Sequence, residues 1–324
     1  MSFFAVLCAL LLEQIKALPR DNRVHDLLAG WVDWAGRNFD AGQERHTWIV
    51  WFVSMLVPVA LVVGLYMALS WVHPLWGLAL DVVVLYLTLG FRQFSHYFTD
   101  IRAALDAGDE DRARELLAQW LRIDTSTLPR AELLRHVIEH ALLAAHRHVF
   151  GVFFWFVLLS ALGLGPAGAV LYRLTASAGR HWARRNRVLG LSGNDGLEAL
   201  AQRIFGLLDH VPARMTAFGF AVVGNFEEAV GGWRRHVGLW EASNDGVILA
   251  SAAGAVGVQL GGGVAAPVAT GGGAPDDEPQ VPGGRTAGQT PVLAHLGSVV
   301  GLVWRSVVLW LLLLALLTLA NLVG

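Results

Sequence analysis

The residues with the most evident chemistry lie in one stretch, "HVIEHALLAAHRHVFGVFFW", which covers residues 136–155. It begins H-x-x-E-H, so His136 and His140 are four residues apart and share one face of a helix, with Glu139 beside them. Two such histidines can bind zinc while the glutamate acts as a general base. A zinc site also needs a third protein ligand, and the candidates are His146, His148, Asp209 and His210.

The same stretch allows two other interpretations, because it becomes strongly apolar directly after His148. We favour a helix whose polar face meets lipid headgroups, with His146, Arg147 and His148 as anchors at the membrane edge. The remaining hypothesis is a pH-responsive or anion-contacting role, since histidine titrates near neutrality.

Two further features could bind an anion. Arg214 follows Pro212 near an expected helix start, where backbone N–H groups favour negative charge; the alternative is a headgroup or carboxylate partner. Gly261 and Gly262 belong to "GVQLGGG" at residues 257–263, where a backbone without side chains could approach a phosphate. We favour flexible chain for this glycine cluster.

The composition places these residues in a membrane protein. Of the 324 residues, 55% are hydrophobic and only 15% are charged, against about 25% charged in soluble domains. The net charge of −2 gives no reason to expect nucleic acid as a partner. Cys8 is the single cysteine, so no disulfide can form within the chain.

Hydropathy and helical spacing predict an all-α, polytopic membrane protein with about four spanning helices and amphipathic cytoplasmic helices between them. Asp81 lies in the second helix of the first hairpin and should face the protein interior, because a carboxylate in lipid costs about 2.5–3.5 kcal/mol.

The predicted segments are an interfacial N-terminal helix that stays on the chain, with a basic segment (1–46), a transmembrane hairpin (47–91), a cytoplasmic helical segment (92–148), a third membrane segment interrupted by "GLGPAG" (149–172), a basic and amphipathic helical region (173–270), a Gly/Pro-rich linker (271–297) and a C-terminal transmembrane helix (298–324).

Arginine is abundant on both sides of the first hairpin and again after the third membrane segment. A hairpin returns the chain to the same side, so both of its flanks can be cytoplasmic under the positive-inside rule. The third segment therefore either re-enters the same face, or a stretch between residues 190 and 269 crosses again, and the sequence leaves both alternatives open.

Several motifs, taken in order, resemble one membrane family. They are "AALDAGDEDRARELLAQWLRIDTSTL", "IEHALLAAHRHVFGVFFW", "VPAR" and "SNDGVILASAAGAVGVQLGG". Together they resemble the CobD/CbiB group, whose enzymatic members are cobinamide-phosphate synthases of cobalamin biosynthesis. The resemblance implies an ATP-dependent amide ligation of an aminopropanol phosphate to a corrin, with ATP and Mg²⁺ required only in that case. The opening "LLLEQIKAL" is more similar to the AmpE-like branch of the superfamily, which is linked to β-lactamase induction.

The chain departs from the enzymatic pattern E-x-x-x-E-N-x-S-D-G. With Glu139 on the first glutamate, the second falls on Leu143, the asparagine on Ala144 and the aspartate on Arg147. After Tyr172 the enzymatic segment is also replaced, by "RLTASAGRHW". The resemblance implies that Asp124 and Thr125 contact a phosphate-bound metal; the alternative, which we favour, is a helix N-cap.

These departures lead us to expect a non-catalytic or altered, AmpE-like member of the family in a bacterial inner membrane. It would bind a protein partner or an amphipathic ligand such as a corrin intermediate. The alternative is a working synthase, in which Glu139 and Asp124 are the candidate catalytic residues and Thr125, Arg214, Gly261 and Gly262 bind the ligand. A membrane zinc hydrolase built on His136, Glu139 and His140 is the least favoured hypothesis.

Overall fold

The computed structural model describes residues 2–15, 23–39, 44–121, 124–189, 195–236, 243–262 and 285–323. Within these ranges the regular elements are α-helices and one π-helical turn, which confirms the all-α prediction. The helices are α1 (Ser2–Ile15), α2 (Arg23–Phe39), α3 (Glu44–Val72), α4 (Pro74–Thr88), α5 (Phe91–Asp106), α6 (Glu110–Leu121), α7 (Arg130–Ala145), the π-helix (His146–Phe150), α8 (Gly151–Ala161), α9 (Ala167–Leu189), α10 (Asp195–Val223), α11 (Phe226–His236), α12 (Asn244–Val256) and α13 (Leu293–Val323).

Three stretches of described helix are long and apolar enough to cross a membrane: Thr47–Val72, Arg130–Ala161 and Leu293–Ala320. The first and last agree with the sequence analysis, although α13 begins at Leu293 and not at residue 298. The expected second helix of the hairpin is the shorter apolar helix α4, which ends at Thr88.

The third predicted membrane segment, 149–172, is interrupted near the "GLGPAG" motif as expected: α8 ends at Ala161 and α9 begins at Ala167. The apolar stretch begins much earlier, at Arg130, because α7, the π-helix and α8 follow one another without a break, and it ends at Ala161. A turn then leads into α9, with Gly163 and Gly165 at positive φ and the Ser160 hydroxyl donating to the carbonyl of Gly165. The prediction missed the early start because it assigned the charged residues of α7 to water.

The chain forms two compact units. Unit 1 comprises Met1–Gly90, Gly151–Asp209 and Leu314–Gly324, and unit 2 comprises Phe91–Phe150 and His210–Leu313. The core of unit 1 gathers side chains from α2, α3, α4, α9 and the first part of α10, among them Trp51, Met55, Leu174 and Trp182.

Asp81 and Asp209 are buried carboxylates of unit 1. Asp81 on α4 is 4% exposed, which confirms that it faces the protein interior. The hydroxyl of Tyr172 donates to Asp209 at 2.7 Å, and the tyrosine ring fits against α8 because residue 151 is a glycine. This hydrogen bond joins α9 to α10.

Unit 2 contains α5, α6 and α7, which build its first half. The apolar side of α6 is buried as its helical spacing predicted, with Ala113, Leu116 and Leu117 inside. In the second half α11 and α12 pack closely, and Ser243 caps α12 by accepting the N–H of Gly246. After α12 the chain forms two isolated β-bridges, Val258 with Gln289 and Gly261 with Arg285.

Two predicted segments fall largely outside the described residues. They are residues 16–22 and 40–43 of the N-terminal basic segment and residues 271–284 of the Gly/Pro-rich linker, of which 285–297 is described.

Candidate functional site

A row of polar residues follows one face of α7 in unit 2. Glu132, Glu139 and His146 are seven residues apart, and seven residues make almost two full turns, so the three side chains point the same way. Glu139 is 1% exposed and His146 is fully buried, although the surrounding helix is largely apolar. Buried polar groups need partners, and the partners come from two different parts of unit 2.

The first set of contacts forms the Glu139 cluster, made of Glu132, Arg135, Glu139, Gly261 and Arg285. Arg135 Nη1 donates to both oxygens of Glu139, each at 3.0 Å, and Arg135 Nη2 lies 2.7 Å from Glu132. Glu139 also accepts the backbone N–H of Gly261 at 2.7 Å, and Arg285 pairs with Glu132 at 3.0 Å. These bonds hold the chain at Gly261 and the chain at Arg285 against α7.

The two predicted glycines lie at this bridge. Gly261 and Gly262 have φ of +83° and +85°, a region that favours glycine. A Cβ on Gly262 would lie 2.1 Å from the Cγ of Arg285. The N–H of Gly261 donates to the Glu139 carboxylate, so it does not point at an open phosphate position. Because Gly261 and Gly262 have no side chains, the backbone here can lie close to Glu139 and Arg285. The flexible-chain interpretation is therefore wrong for these two glycines.

Asp124 and Thr125 make their described contacts around α6 and their own turn. Asp124 accepts the N–H and the hydroxyl of Ser126, at 3.0 Å and 2.7 Å, and the hydroxyl bond lowers the pKa of Asp124 from its ordinary value. Thr125 is buried and donates to the carbonyl of Arg114 at 2.8 Å. Asp124 is not the N-cap of the following helix, because α7 begins at Arg130 with Pro129 as its cap.

The two histidines of the H-x-x-E-H motif, His136 and His140, contact side chains that are not metal ligands. His136 Nε2 lies 3.2 Å from Arg135 Nη2, a cation that disfavours a bound metal ion. The ring of His140 stands edge-on to Trp120, with 4.5 Å between centroids. Among the residues that the structure describes, no group of three or more His, Cys, Asp or Glu could hold a metal ion. The zinc hypothesis gains no support from this geometry.

The second set of contacts forms the Arg147 cluster, made of His146, Arg147, Arg214, Thr216, Asn244 and Asp245. Arg147 Nη2 donates to Asp245 at 2.6 Å, and His146 Nδ1 lies 2.8 Å from the hydroxyl oxygen of Thr216. Arg214 Nη1 donates to the carbonyl of His210 at 2.9 Å and to the Asn244 side chain at 3.3 Å.

The Arg147 cluster surrounds the start of α12 and the π-helix. A π-helix inside a helical run is rare and often marks a functional site. Side chains of Arg147 and Asp245 remain 16% and 18% exposed, whereas Arg135 and Glu139 are almost fully buried. The Arg147 guanidinium and the Asp245 carboxylate therefore meet at a partly exposed place, and the Arg214 guanidinium binds Asn244, the residue before Asp245.

Sequence reasoning missed Asp245 and Thr216. It treated Arg147 as the position where an acidic residue had been lost, but the structure places the Asp245 carboxylate against Arg147. The signal was the motif "SNDG" at residues 243–246, whose aspartate had no predicted role. The headgroup-anchor interpretation is wrong for His146, which is fully buried. The prediction that Arg214 lies near a helix start is wrong, because Pro212 and Arg214 lie inside α10, and the Arg214 side chain binds Asn244.

Comparison with known proteins adds independent evidence. A family model described as CobD/Cbib protein matches residues 3–266. A protein of Stutzerimonas stutzeri named "Cobalamin biosynthesis protein CobD" is 32% identical over 318 residues, which is 96% of each chain. Proteins of the same name from Chromobacterium violaceum and Leptospira interrogans are 33% and 26% identical, over 73% and 80% of this chain and 70% and 80% of their own. No solved structure matches the chain.

Proposed function

The chain belongs to the CobD/CbiB family, and from this premise we propose that it carries out a step of cobalamin biosynthesis at a membrane. One observation carries the proposal: a relative with that role in its name is 32% identical across 96% of both chains. Three helices that are long and apolar enough to span a bilayer agree with a membrane protein. The proposal also places the protein in the bacterial inner membrane, which the chain crosses several times.

The reaction that the family resemblance implies is amide ligation between an aminopropanol phosphate and a propionate of the corrin. The carboxylate would take the terminal phosphoryl group of ATP and release ADP, and the amine would then attack the acyl phosphate, forming the amide and releasing inorganic phosphate and a proton. Such a reaction needs cationic groups for phosphate and a carboxylate that can accept the amine's proton. The Arg147 cluster offers both kinds of group in one accessible place.

We assign three side chains of the Arg147 cluster to this reaction. Arg147 and Arg214 bind phosphate oxygens, because a guanidinium matches their geometry and stays charged. Asp245 exchanges its bond with Arg147 for a bond to the incoming ammonium group and takes up the proton that the amine loses. No step is assigned to a resident metal, since the described residues provide no metal-binding group. Mg²⁺ would arrive with the phosphates of ATP, as it commonly does.

Glu139 receives a different role in this proposal. Arg135 and the N–H of Gly261 already occupy its carboxylate, so it positions the loop around Gly261 and does not act as a base. This differs from the expectation that Glu139 is catalytic.

A second candidate is a non-catalytic, AmpE-like protein that binds a protein partner. The geometry of Glu139 favours it, because the acidic residue that best matches the enzymatic pattern is engaged in structural bonds. Under this hypothesis the Arg147 cluster also stabilises the fold and has no substrate.

Complementation separates the two candidates. A strain without cobinamide-phosphate synthase, grown where it depends on its own cobalamin synthesis, should regain growth when it expresses this protein. Asp245→Asn should abolish the rescue, while Asp111→Asn, which alters a 99% exposed carboxylate, should not. Failure of the wild type, despite its presence in the membrane fraction, would support the second candidate.

A further inference from the structure

Asp81, in the hairpin that α3 and α4 form in unit 1, takes no part in the proposed reaction. Its side chain is 4% exposed, and its Oδ1 atom is buried without a hydrogen-bond partner among the described residues. A buried carboxylate without a partner is costly, above all in an apolar hairpin of a membrane protein. We therefore looked for other polar atoms that could bind a ligand together with Asp81.

A second buried oxygen of this kind lies on α3. The Ser70 hydroxyl also has no hydrogen-bond partner among the described residues. It differs in this from the Thr88 hydroxyl, which donates to the carbonyl of Val84 in its own helix, as hydroxyls in helices commonly do. The Ser70 oxygen instead lies against α4, because a Cβ on Gly77 would collide with it.

The hairpin directs these two oxygens toward each other. Asp81 follows Gly77 by one helical turn, so the two residues share the face of α4 that meets Ser70. Side chains of a helix lean toward its N-terminus, so the Asp81 carboxylate leans toward Gly77 and the Ser70 oxygen beside it. Since residue 77 is a glycine, no side chain at that position fills the space between the two oxygens.

A third oxygen belongs to Tyr66, one turn before Ser70 on α3. Its hydroxyl interacts with Ser70 outside ordinary hydrogen-bond geometry, and Asp81 acts on it electrostatically. The ring edge borders the same glycine, because a Cβ on Gly77 would lie 3.4 Å from Cε2 of Tyr66. The "GLGPAG" turn after α8 holds the ring in place, since a Cβ on Gly165 would collide with it.

We propose that Asp81, Ser70 and Tyr66 bind a sodium ion inside the hairpin. A single carboxylate balances a single positive charge, so a monovalent cation leaves the site neutral in its apolar surroundings. Carboxylate and hydroxyl oxygens are hard ligands that suit a hard cation. Two of the three ligands are hydroxyls, so the site is not one of the groups of His, Cys, Asp and Glu considered above. The ion links α3 to α4 and has no part in the ligation.

The test is thermal unfolding of the purified full-length protein in detergent, in NaCl and in choline chloride at equal concentrations. Na⁺ binds the folded hairpin, so it should raise Tm by at least about 2 °C, and the rise should level off as the site fills. Choline carries the same charge but is too large for a space between two helices that pack at a glycine. Calorimetric titration of NaCl into the protein in choline chloride should show saturable binding.

Matched variants test the location. Asp81→Asn should abolish the effect of Na⁺, whereas Asp111→Asn, which alters a 99% exposed carboxylate, should keep it. Ser70→Ala should weaken Na⁺ binding at least about tenfold, a typical loss even for a supporting contact of a metal site. Thr88→Val, which removes a hydroxyl that is bonded within its own helix, should leave the affinity within about twofold.

The stability of Asp81→Asn distinguishes a cation site from a merely structural carboxylate. In choline chloride this variant should melt at least as high as the wild type, because it removes a buried charge without a partner. In NaCl the order should reverse or the difference should shrink, since only the wild type gains an ion.

The α-amino group of the chain also acts electrostatically on Asp81, so it competes with Na⁺. Acetylation of this group should leave Na⁺ binding unchanged or strengthen it. Loss of Na⁺ binding on acetylation would contradict the site.

Equal melting temperatures of the wild type in NaCl and in choline chloride would overturn the proposal. So would an effect of Na⁺ that persists in Asp81→Asn, or equal losses of affinity in Ser70→Ala and Thr88→Val. Failure of cobalamin complementation would not affect this result, since the ion is measured without the reaction.

Discussion

The Glu139 and Arg147 clusters lie on the same continuous helical run, yet they differ in access. In the Glu139 cluster the Arg135–Glu139 pair is almost fully buried, and Gly261 and Arg285 bind α7 from a distant part of the chain. In the Arg147 cluster the ion pair is partly exposed and sits where the helix widens into π geometry. Burial makes the Arg135–Glu139 pair structural, because separating a buried charge from its partner has a large energetic cost. The second pair can exchange its partner for a ligand.

The largest expected effect comes from breaking the buried pair. Arg135→Met leaves the Glu139 carboxylate buried without its cation and should lower the free energy of unfolding by about 3–5 kcal/mol. Arg112→Met, which breaks an exposed pair with Glu115, should cost about 1 kcal/mol or less. Thermal unfolding of the purified protein in detergent measures both.

A double variant shows whether the charge is the cause. In Arg135→Met/Glu139→Gln the glutamine can still accept the N–H of Gly261, but no unpaired charge is buried. Most of the lost stability should return. If the double variant is as unstable as Arg135→Met, the cost arises from lost packing and not from the Glu139 charge.

Changing the partly exposed Arg147–Asp245 pair should reduce activity more than it reduces stability. Asp245→Asn keeps the shape of the side chain and can still accept from Arg147, but it cannot take up a proton. The rate of amide formation should fall about tenfold or more, a change of about 1.4 kcal/mol or more in the barrier. Unchanged activity with a normal thermal melt would assign Asp245 to the fold, like Glu139.

Replacing Gly262, which follows Gly261 of the Glu139 cluster, should have an intermediate effect on stability. Gly262→Ala forces a side chain into the left-handed region and toward Arg285, so it should destabilise the protein by about 1–2 kcal/mol. Gly297 lies in the helix α13, where an added Cβ would meet nothing within 4 Å, and Gly297→Ala should be neutral or stabilising. Equal effects of the two changes would show that the loop at Gly262 is not tightly held.

The smallest effect concerns Asp124, an exposed residue outside both clusters. The Ser126 hydroxyl holds the pKa of Asp124 below its ordinary 3.8. A lowered pKa in the folded state stabilises the protein above the ordinary value, and that contribution disappears as the pH falls through the folded pKa. Ser126→Ala should therefore reduce stability slightly at neutral pH, and this reduction should disappear as the pH falls through the lowered pKa of Asp124. A constant difference at all pH values in acid unfolding would contradict this linkage.

The sequence predicted helices where apolar residues recur at helical spacing, as in α6, and it predicted the spans of α3 and α13 well. Its third membrane segment begins later than the apolar helical run Arg130–Ala161, because hydropathy gives Arg135, Glu139 and His146 to water. Their burial depends on partners far away in the chain: Gly261 is 122 residues from Glu139, and Asp245 is 98 residues from Arg147. Spacing within one helix cannot reveal such partners, so the sequence identified Glu139 but not its bond to Gly261.

The most direct test is an assay of corrin amide formation by the purified protein in nanodiscs, with ATP and Mg²⁺ and with mass spectrometry of the product. We predict that the wild type forms the amide, that Arg112→Met leaves the rate unchanged and that Asp245→Asn reduces it at least about tenfold. A folded wild type that forms no amide, or an Asp245→Asn variant that forms it at the normal rate, would contradict the proposal that the Arg147 cluster is the catalytic site.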